Sequence, residues 1–264
     1  TAYQHNPKNP HSLITNDVTD ISPSTQHDDG LWISTYYRGI EYLDITSGQF
    51  THYNKNTVPG LPCEQTWTVL DGGDGNLYIG HVGSGFSILS LKDKSVKNFR
   101  NEAGNPMSLP GNDVFCIIKD TNGNIWLGTN KGLALYNAAN ENFITFKKNK
   151  NDKYDTLCSR ILSIRQLKDN KLWIASELNG IAILNLKQSM FLSPEEISLE
   201  YIQEGDDSRS LSNASARCIF QDSFDNIWIG TWGGGINFIS SKSPLFTTLS
   251  YSPIPNNENS LNNK

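Results

Sequence analysis

The sequence predicts an all-β fold, a β-propeller of four-stranded antiparallel blades. Three observations carry that reading. A short block of turn residue, apolar–aromatic–apolar triplet and small residue recurs five times. A leucine preceded by Ser, Thr or Gly recurs at the same spacing. Short apolar runs alternate with stretches rich in Gly, Asn and Asp, the composition of a chain with many tight turns.

The block reads Asp29-Gly30-Leu31-Trp32-Ile33-Ser34-Thr35, then Gly75-Asn76-Leu77-Tyr78-Ile79-Gly80, then Gly123-Asn124-Ile125-Trp126-Leu127-Gly128-Thr129. It returns as Asn170-Lys171-Leu172-Trp173-Ile174-Ala175-Ser176 and as Asp225-Asn226-Ile227-Trp228-Ile229-Gly230-Thr231. The aromatic positions are 46, 48, 47 and 55 residues apart. The second marker falls at Leu13, Leu61, Leu109, Leu157, Leu211 and Leu261, with steps of 48, 48, 48, 54 and 50. Two independent markers with one period define the repeat. The blades are expected at about 14–60, 61–108, 109–156, 157–210 and 211–260, together one propeller segment.

The third copy shows the four strands most clearly. Val114 to Lys119 is an apolar run and a candidate innermost strand. Asn122-Gly123 reads as a hairpin turn with positive φ at both residues. Ile125 to Thr129, Gly132 to Tyr136 and Asn142 to Phe146 supply the remaining strands. By analogy the first strands start near Val18, Thr66, Val114, Ile161 and Ala216. One blade cannot bury both faces of its sheet, so stacked neighbours must, with the recurring aromatic as the filler between them. The long step between Trp173 and Trp228 comes from an insert at 188–198, expected as a loop or short helix on the face opposite the loops that lead into the innermost strands. Tyr3 to Leu13 reads as the end of an outer strand, and 249–261 as the same phase again. The expectation is therefore a piece of a longer array.

Composition narrows the function. Hydrophobic residues at 37% and charged residues at 19% fit a folded domain. A net charge of −5 without a long basic run argues against nucleic-acid binding. No apolar stretch has the length of a spanning helix. Cys116 and Cys218 lie ten residues before their aromatic, and Cys63 and Cys158 fifteen before theirs. Equivalent positions in different blades stay apart, so four unpaired thiols are expected, small and buried on innermost strands. No Cys or His spacing suggests a metal, and Asp71 to Asn76 lacks the alternating ligands and distal Glu of a calcium loop. Gly233-Gly234-Gly235 lacks the Lys-Ser/Thr of a phosphate cradle. No cofactor is expected.

The repeat resembles the two-component-regulator propeller repeat. The resemblance rests on Asp120 to Thr129 with Gly132-Leu133, on Asp222 to Thr231 with Gly235-Ile236, and on the upstream Asn105-Pro106-x-Ser108-Leu109. It implies the sensor region of a hybrid two-component system of Bacteroides-type gut bacteria, a periplasmic ectodomain on an inner-membrane kinase. That region senses glycan fragments and controls genes for polysaccharide use. Such a segment is not itself an enzyme.

The candidate binding face follows from the frame. Loops leading into the innermost strand and loops joining strands two and three share one side, where variable side chains sit on a rigid scaffold. Eleven residues before the aromatic lie Trp67, Phe115, Leu162 and Arg217. Two residues further upstream lie Gln65, Asp113, Arg160 and Ser215. With a two-residue insert, Thr19 and Asp17 are their counterparts in blade one. Between strands two and three lie Tyr36-Tyr37-Arg38, His81, Asn130-Lys131, Glu177 and Trp232. The ligand-binding expectation is Tyr36, Tyr37, Arg38, Trp67, His81, Phe115, Lys131, Arg160, Glu177, Arg217 and Trp232. Aromatic faces stack on sugar C–H faces, and Arg or Lys grips carboxylates and sulfates. The expected partners are an oligosaccharide or polysaccharide fragment, a neighbouring propeller domain and a second copy in a homodimer. A scaffold for protein contact is the alternative. A lyase or glycosidase would need paired carboxylates or a His/Tyr pair, and Asp17, Asp113 and Glu177 are scattered over different blades.

Overall fold

The computed structural model describes residues 1–146, 155–186, 199–207 and 210–249. It is a β-propeller of five blades, each a four-stranded antiparallel sheet. Blade one holds β1 (Val18–Pro23), β2 (Gly30–Thr35), β3 (Gly39–Asp44) and β4 (Gln49–Tyr53). Blade two holds β5 (Thr66–Asp71), β6 (Asn76–His81), β7 (Phe86–Ser90) and β8 (Val96–Phe99). Blade three holds β9 (Val114–Lys119), β10 (Ile125–Thr129), β11 (Gly132–Asn137) and β12 (Asn142–Thr145). Blade four holds β13 (Ile161–Gln166), β14 (Lys171–Ser176), β15 (Ile181–Asn185) and β16 (Leu199–Ile202). Blade five holds β17 (Ala216–Gln221), β18 (Ile227–Thr231), β19 (Gly235–Ser240) and β20 (Ser243–Leu249). The first strands start at the residues the repeat predicts. The insert at 188–198, the stretch 250–261 and the marker Leu261 lie outside the described residues.

The chain divides into two compact units. The first is Thr1–Asn130 with Ala134–Ile144, and the second is Lys131–Leu133 with Thr145–Lys264. Within each, the repeat explains the core. Trp32 of blade one packs with Leu61, Val69, Leu77 and Ile79 of blade two. Tyr78 of blade two packs with Leu109, Val114, Ile117, Ile125 and Leu127 of blade three. In the second unit Trp173 packs with Leu211, Ala216, Ile219 and Ile229 of blade five. Trp32, Tyr78 and Trp173 are thus each roofed by the next blade's marker leucine and its first two strands. Trp32, Tyr78, Trp126 and Trp173 are buried, whereas Trp228 is half-buried, tilted against Phe238 at 4.5 Å.

Local chemistry fixes the turns. The β9–β10 connection is not the two-residue hairpin expected at Asn122-Gly123, because only Gly123 has positive φ, at 88°. Asp120 organises it instead. Its carboxylate accepts from the backbone N–H of Asn122 and Asn124, both at 2.9 Å, and from Trp126 Nε1 at 2.9 Å. Asp222 repeats this in blade five, taking Asn226 N at 2.9 Å and Trp228 Nε1 at 3.0 Å. Those donors, the indole first, hold the Asp222 carboxyl down at about 2. Blade one carries Gln26 at this position, and Trp32 Nε1 donates to Asp71 of blade two at 3.2 Å. Blade four carries the buried Leu167 there. Trp173 Nε1 is buried with no hydrogen-bond partner among the described residues.

The glycine that opens each third strand has a steric reason. Gly39 has φ of +83°, and a Cβ there would stand 2.5 Å from the Tyr53 carbonyl. The lead-in Asn-Pro-x-Ser-Leu is a self-contained turn. Ser108 Oγ donates to Asn105 O at 2.8 Å and the Met107 N–H donates to Asn105 Oδ1 at 3.0 Å. Ser12 and His11 do the same with Asn9, at 2.8 and 3.0 Å. Tyr3 to Leu13 is therefore not the end of an outer strand. It is a turn-rich lead-in with one isolated bridge, His5 to Leu13. Leu13, Leu61, Leu109, Leu157 and Leu211 are all buried.

The four cysteines stand as thiols, none joined to another, but their setting differs from the expectation. Cys116 and Cys218 lie on innermost strands, Cys116 half-buried and Cys218 exposed. Cys63 and Cys158 lie in lead-in segments and are half-buried.

Candidate functional site

Every innermost strand begins with a β-bulge. The pairing skips Thr19 between Val18 and Asp20, Trp67 between Thr66 and Thr68, and Phe115 between Val114 and Cys116. In the second unit it skips Leu162 between Ile161 and Ser163, and Arg217 between Ala216 and Cys218. A bulge frees its extra residue from the ladder and re-aims the side chain. The residues singled out by their distance from the aromatic are therefore the five bulge residues, Thr19 included.

The loop residues are brought to the bulges by one recurrent backbone bond. The first residue after strand two donates to the carbonyl two residues before the bulge. Tyr36 bonds Asp17, Val82 bonds Gln65, Asn130 bonds Asp113 and Glu177 bonds Arg160, all at 3.0 Å, and Trp232 bonds Ser215 at 2.9 Å. The two sets of variable positions thus meet in each blade.

In the first unit the meeting is aromatic. Tyr37 packs edge-on to Tyr36 at 4.2 Å between centroids. Tyr36 packs on Trp67 at 6.0 Å, and Trp67 on Phe115 at 5.7 Å, all near-perpendicular. Because the first strands of these blades lie side by side, the row runs from blade one to blade three. Phe115 is buried, Tyr36 and Trp67 are half-buried, and Tyr37 and Arg38 are exposed. The Gly83 N–H donates to Asp113 Oδ1 at 2.7 Å, fixing the blade-two loop against blade three.

In the second unit the meeting is ionic. Glu177 bridges two arginines, with Oε2 at 3.3 Å from Arg160 NH1 and Oε1 at 3.2 Å from Arg217 NH2. The Arg217 guanidinium stands 4.7 Å over the Trp232 ring, a cation–π arrangement. Trp232 is 68% exposed, and Leu178 in the β14–β15 loop is 74% exposed. Lys131 is exposed in the β10–β11 turn.

His81 does not belong to this face. It is the last residue of β6, the counterpart of Thr35, Thr129, Ser176 and Thr231, and it is fully buried. The loop position in blade two is Val82. His81 instead closes an internal chain of hydrogen bonds. Asn98 Nδ2 donates to Gly60 O at 3.0 Å, so Asn98 Oδ1 accepts from Ser87 Oγ at 2.7 Å. Ser87 must then accept from His81 Nε2 at 2.8 Å, which leaves Nδ1 as the acceptor facing Cys63 Sγ at 3.5 Å. Burial pushes the imidazole down to about 4, so it is neutral at physiological pH.

A second buried pair occupies blade one. Glu41, on β3, is fully buried, and its Oε2 lies 3.0 Å from Nδ1 of His52 on β4. His52 Nε2 donates to Pro10 O at 2.8 Å, tying the lead-in to the outer strand. Burial pushes the Glu41 carboxyl up to about 7, with His52 and then His5 pulling the other way. The equivalent residues are Ser87, Ala134, Ala182 and Asn237. Sequence inspection did not single out Glu41, although a Glu among small residues at one repeat position was a visible signal. A groove of about 630 Å³ in the first unit, lined by His27, Asp28, Asp29, Tyr42 and Asp44, is open to solvent. No group of His, Cys, Asp or Glu among the described residues is arranged to hold a metal.

Comparison with known proteins places this frame. Residues 108–131 and 210–233 match the two-component regulator propeller family. Over its whole length the chain is 61% identical, with a TM-score of 0.79, to the extracellular domain of a protein of B. thetaiotaomicron described as a hybrid two-component system. It is 33% identical over 94 residues to a histidine kinase of Formosa agariphila. The chain spans 32% of the first relative and 7% of the second. A streptogramin B lyase shares the fold, with a TM-score of 0.62 at 16% identity over 93% of the chain.

Proposed function

From a chain built of two-component regulator propeller repeats, we propose a ligand-recognition segment of an extracytoplasmic sensor in a hybrid two-component system. Its bulge-and-loop face recognises glycan fragments and thereby governs genes for polysaccharide use. The observation that carries this is the row Tyr37–Tyr36–Trp67, held on the loop of blade one and the bulge of blade two and backed by the buried Phe115 of blade three. Aromatic rings presented along a line suit successive pyranose rings, whose C–H faces stack while their hydroxyls stay in water. The segment sits outside the cytoplasm, as its relative does, and binds rather than transforms its ligand. Affinity is modest, because water competes for every hydroxyl. Signalling follows only if the ligand favours one arrangement of the protein over another.

The test is calorimetry of the full chain against a panel of polysaccharide digests. One digest is expected to bind, and Trp67→Ala to weaken it by roughly tenfold, the loss of one aromatic stacking platform. Binding that ignores Trp67→Ala, Arg217→Ala and Trp232→Ala combined removes this face from the sensor. A second reading, a surface for protein contact, draws on Phe220 and Phe224 in blade five, 58% and 77% exposed.

A further inference from the structure

Arg160, Glu177, Arg217 and Trp232 form a small ionic site in the second unit, with Glu177 seated where an anion would sit. Two guanidinium groups, one from the lead-in of blade four and one from the bulge of blade five, converge on one carboxylate. The charges of these three side chains sum to +1, in a chain whose net charge is −5. The geometry is loose for a structural ion pair, with Arg160 NH1 at 3.3 and 3.5 Å from the two Glu177 oxygens and Arg217 NH2 at 3.2 Å from Oε1. Charge-assisted pairs that serve as fixed braces are shorter and often forked. The groups are also accessible, with side chains 41%, 28% and 35% exposed for Arg160, Glu177 and Arg217. Arg217 Nε is buried without a hydrogen-bond partner among the described residues, so this fork is incompletely used. Trp232 carries the guanidinium at 4.7 Å yet remains 68% exposed, so much of its ring stays open to a second layer.

We propose that this cluster binds one anionic group of a sugar, a carboxylate or a sulfate, and that Glu177 is its tethered competitor. The inference rests on the glycan reading above. An incoming anion takes the Arg160 and Arg217 donors, Glu177 turns out to water, and the sugar ring bearing the anion lies on Trp232. Neutral sugars cannot displace Glu177, because a hydroxyl offers no charge to two guanidiniums. Glu177 thereby sets specificity against neutral glycans and raises the concentration at which an acidic one binds.

Calorimetry of the full chain with three probes tests this. The probes are oligogalacturonides, which carry carboxylates only, carrageenan oligosaccharides, which carry sulfates only, and neutral galacto-oligosaccharides. One anionic class is expected to bind, more weakly as salt rises. Glu177→Gln should tighten that binding by roughly fivefold, the scale of an exposed ion pair removed as competitor. Arg217→Lys, which keeps the charge and loses the fork, should weaken it about tenfold. Thermal unfolding of both variants confirms that they are folded. Equal binding of neutral and acidic probes, unchanged in both variants, overturns the anion site and leaves the glycan reading standing. Acidic binding indifferent to Glu177→Gln overturns the competitor. Absence of binding by all three classes overturns the site and the glycan reading together.

Discussion

The two units share a frame and differ in what they hang on it. At the bulge the first unit carries Thr19, Trp67 and Phe115, and the second carries Leu162 and Arg217. One presents an edge-on aromatic row, the other a bridged arginine pair. The backbone bond that brings loop and bulge together is the same in all five blades. Pairing geometry therefore fixes where a variable side chain appears, and the side chain alone decides the chemistry. The same division holds in the core. Asp120 and Asp222 satisfy the indole of their own blade, Trp32 takes its acceptor from the next blade, and Trp173 has none among the described residues.

The largest expected effect separates a buried aromatic from a half-buried one. Trp126 is 2% exposed. Trp126→Ala should cost about 3–5 kcal/mol, the range for deleting a large core aromatic. Trp228, half-buried, should cost only about 1–2 kcal/mol, since less area leaves water. Urea denaturation with a constant m-value reads both. Equal costs would mean that burial does not set the contribution of these residues.

A smaller effect concerns two buried titrating groups of the first unit with opposite signs. Glu41 titrates near 7 when folded, against an ordinary value of 4.5. The folded chain keeps a proton that the unfolded chain has released, so this contribution is full below about 4.5 and is lost as pH rises through 7. His81 titrates near 4 when folded, against 6.5. Its contribution is full above 6.5 and is lost as pH falls through 4. Over pH 4.5–6.5 the two oppose each other, each by about 2–3 kcal/mol at roughly 1.4 kcal/mol per unit. The wild type should change stability little across that window. Glu41→Gln should make stability fall toward pH 4.5, and His81→Thr, which restores the residue of the other copies, should make it fall toward pH 6.5. Parallel slopes in the two variants would show that the groups are not opposed.

What the sequence made legible follows from what is local. Strand starts and bulge positions depend on the spacing to one aromatic, so Val18, Thr66, Val114, Ile161 and Ala216 could be named from the repeat. His81 was misplaced by one residue. It lies three after Tyr78, where Thr129 lies three after Trp126, and its distinctive chemistry drew it into the loop set. Glu177 joins Arg160 and Arg217, which lie 17 and 40 residues from it in the chain, and no short-range pattern couples the three. The borrowing of Asp71 by Trp32 is equally non-local, since 39 residues separate the partners. The cysteines on lead-in segments were misread because a fixed offset from the aromatic marks equivalence between blades without saying which element carries it.

The smallest expected effect isolates one N–H. Trp126→Phe and Trp173→Phe remove similar volume from similar sites, one in each unit. In blade three the indole N–H donates to Asp120 at 2.9 Å, and losing it deprives a buried carboxylate of one of its donors. In blade four the indole N–H is buried without a partner among the described residues, and Phe removes that unmet donor. A hydrogen bond to a charged group contributes about 1.5–3 kcal/mol, whereas deleting an unsatisfied donor relieves a desolvation cost of about 1–3 kcal/mol. Relaxation around each ring shrinks both figures, so Trp126→Phe should cost about 1–2 kcal/mol more than Trp173→Phe. The difference between two denaturation midpoints at equal m measures it. A Trp173→Phe variant as costly as Trp126→Phe would mean that the blade-four indole has an acceptor after all. Restoring the repeat by Leu167→Asp is no shortcut, because Leu167 is itself part of the core that covers Trp173.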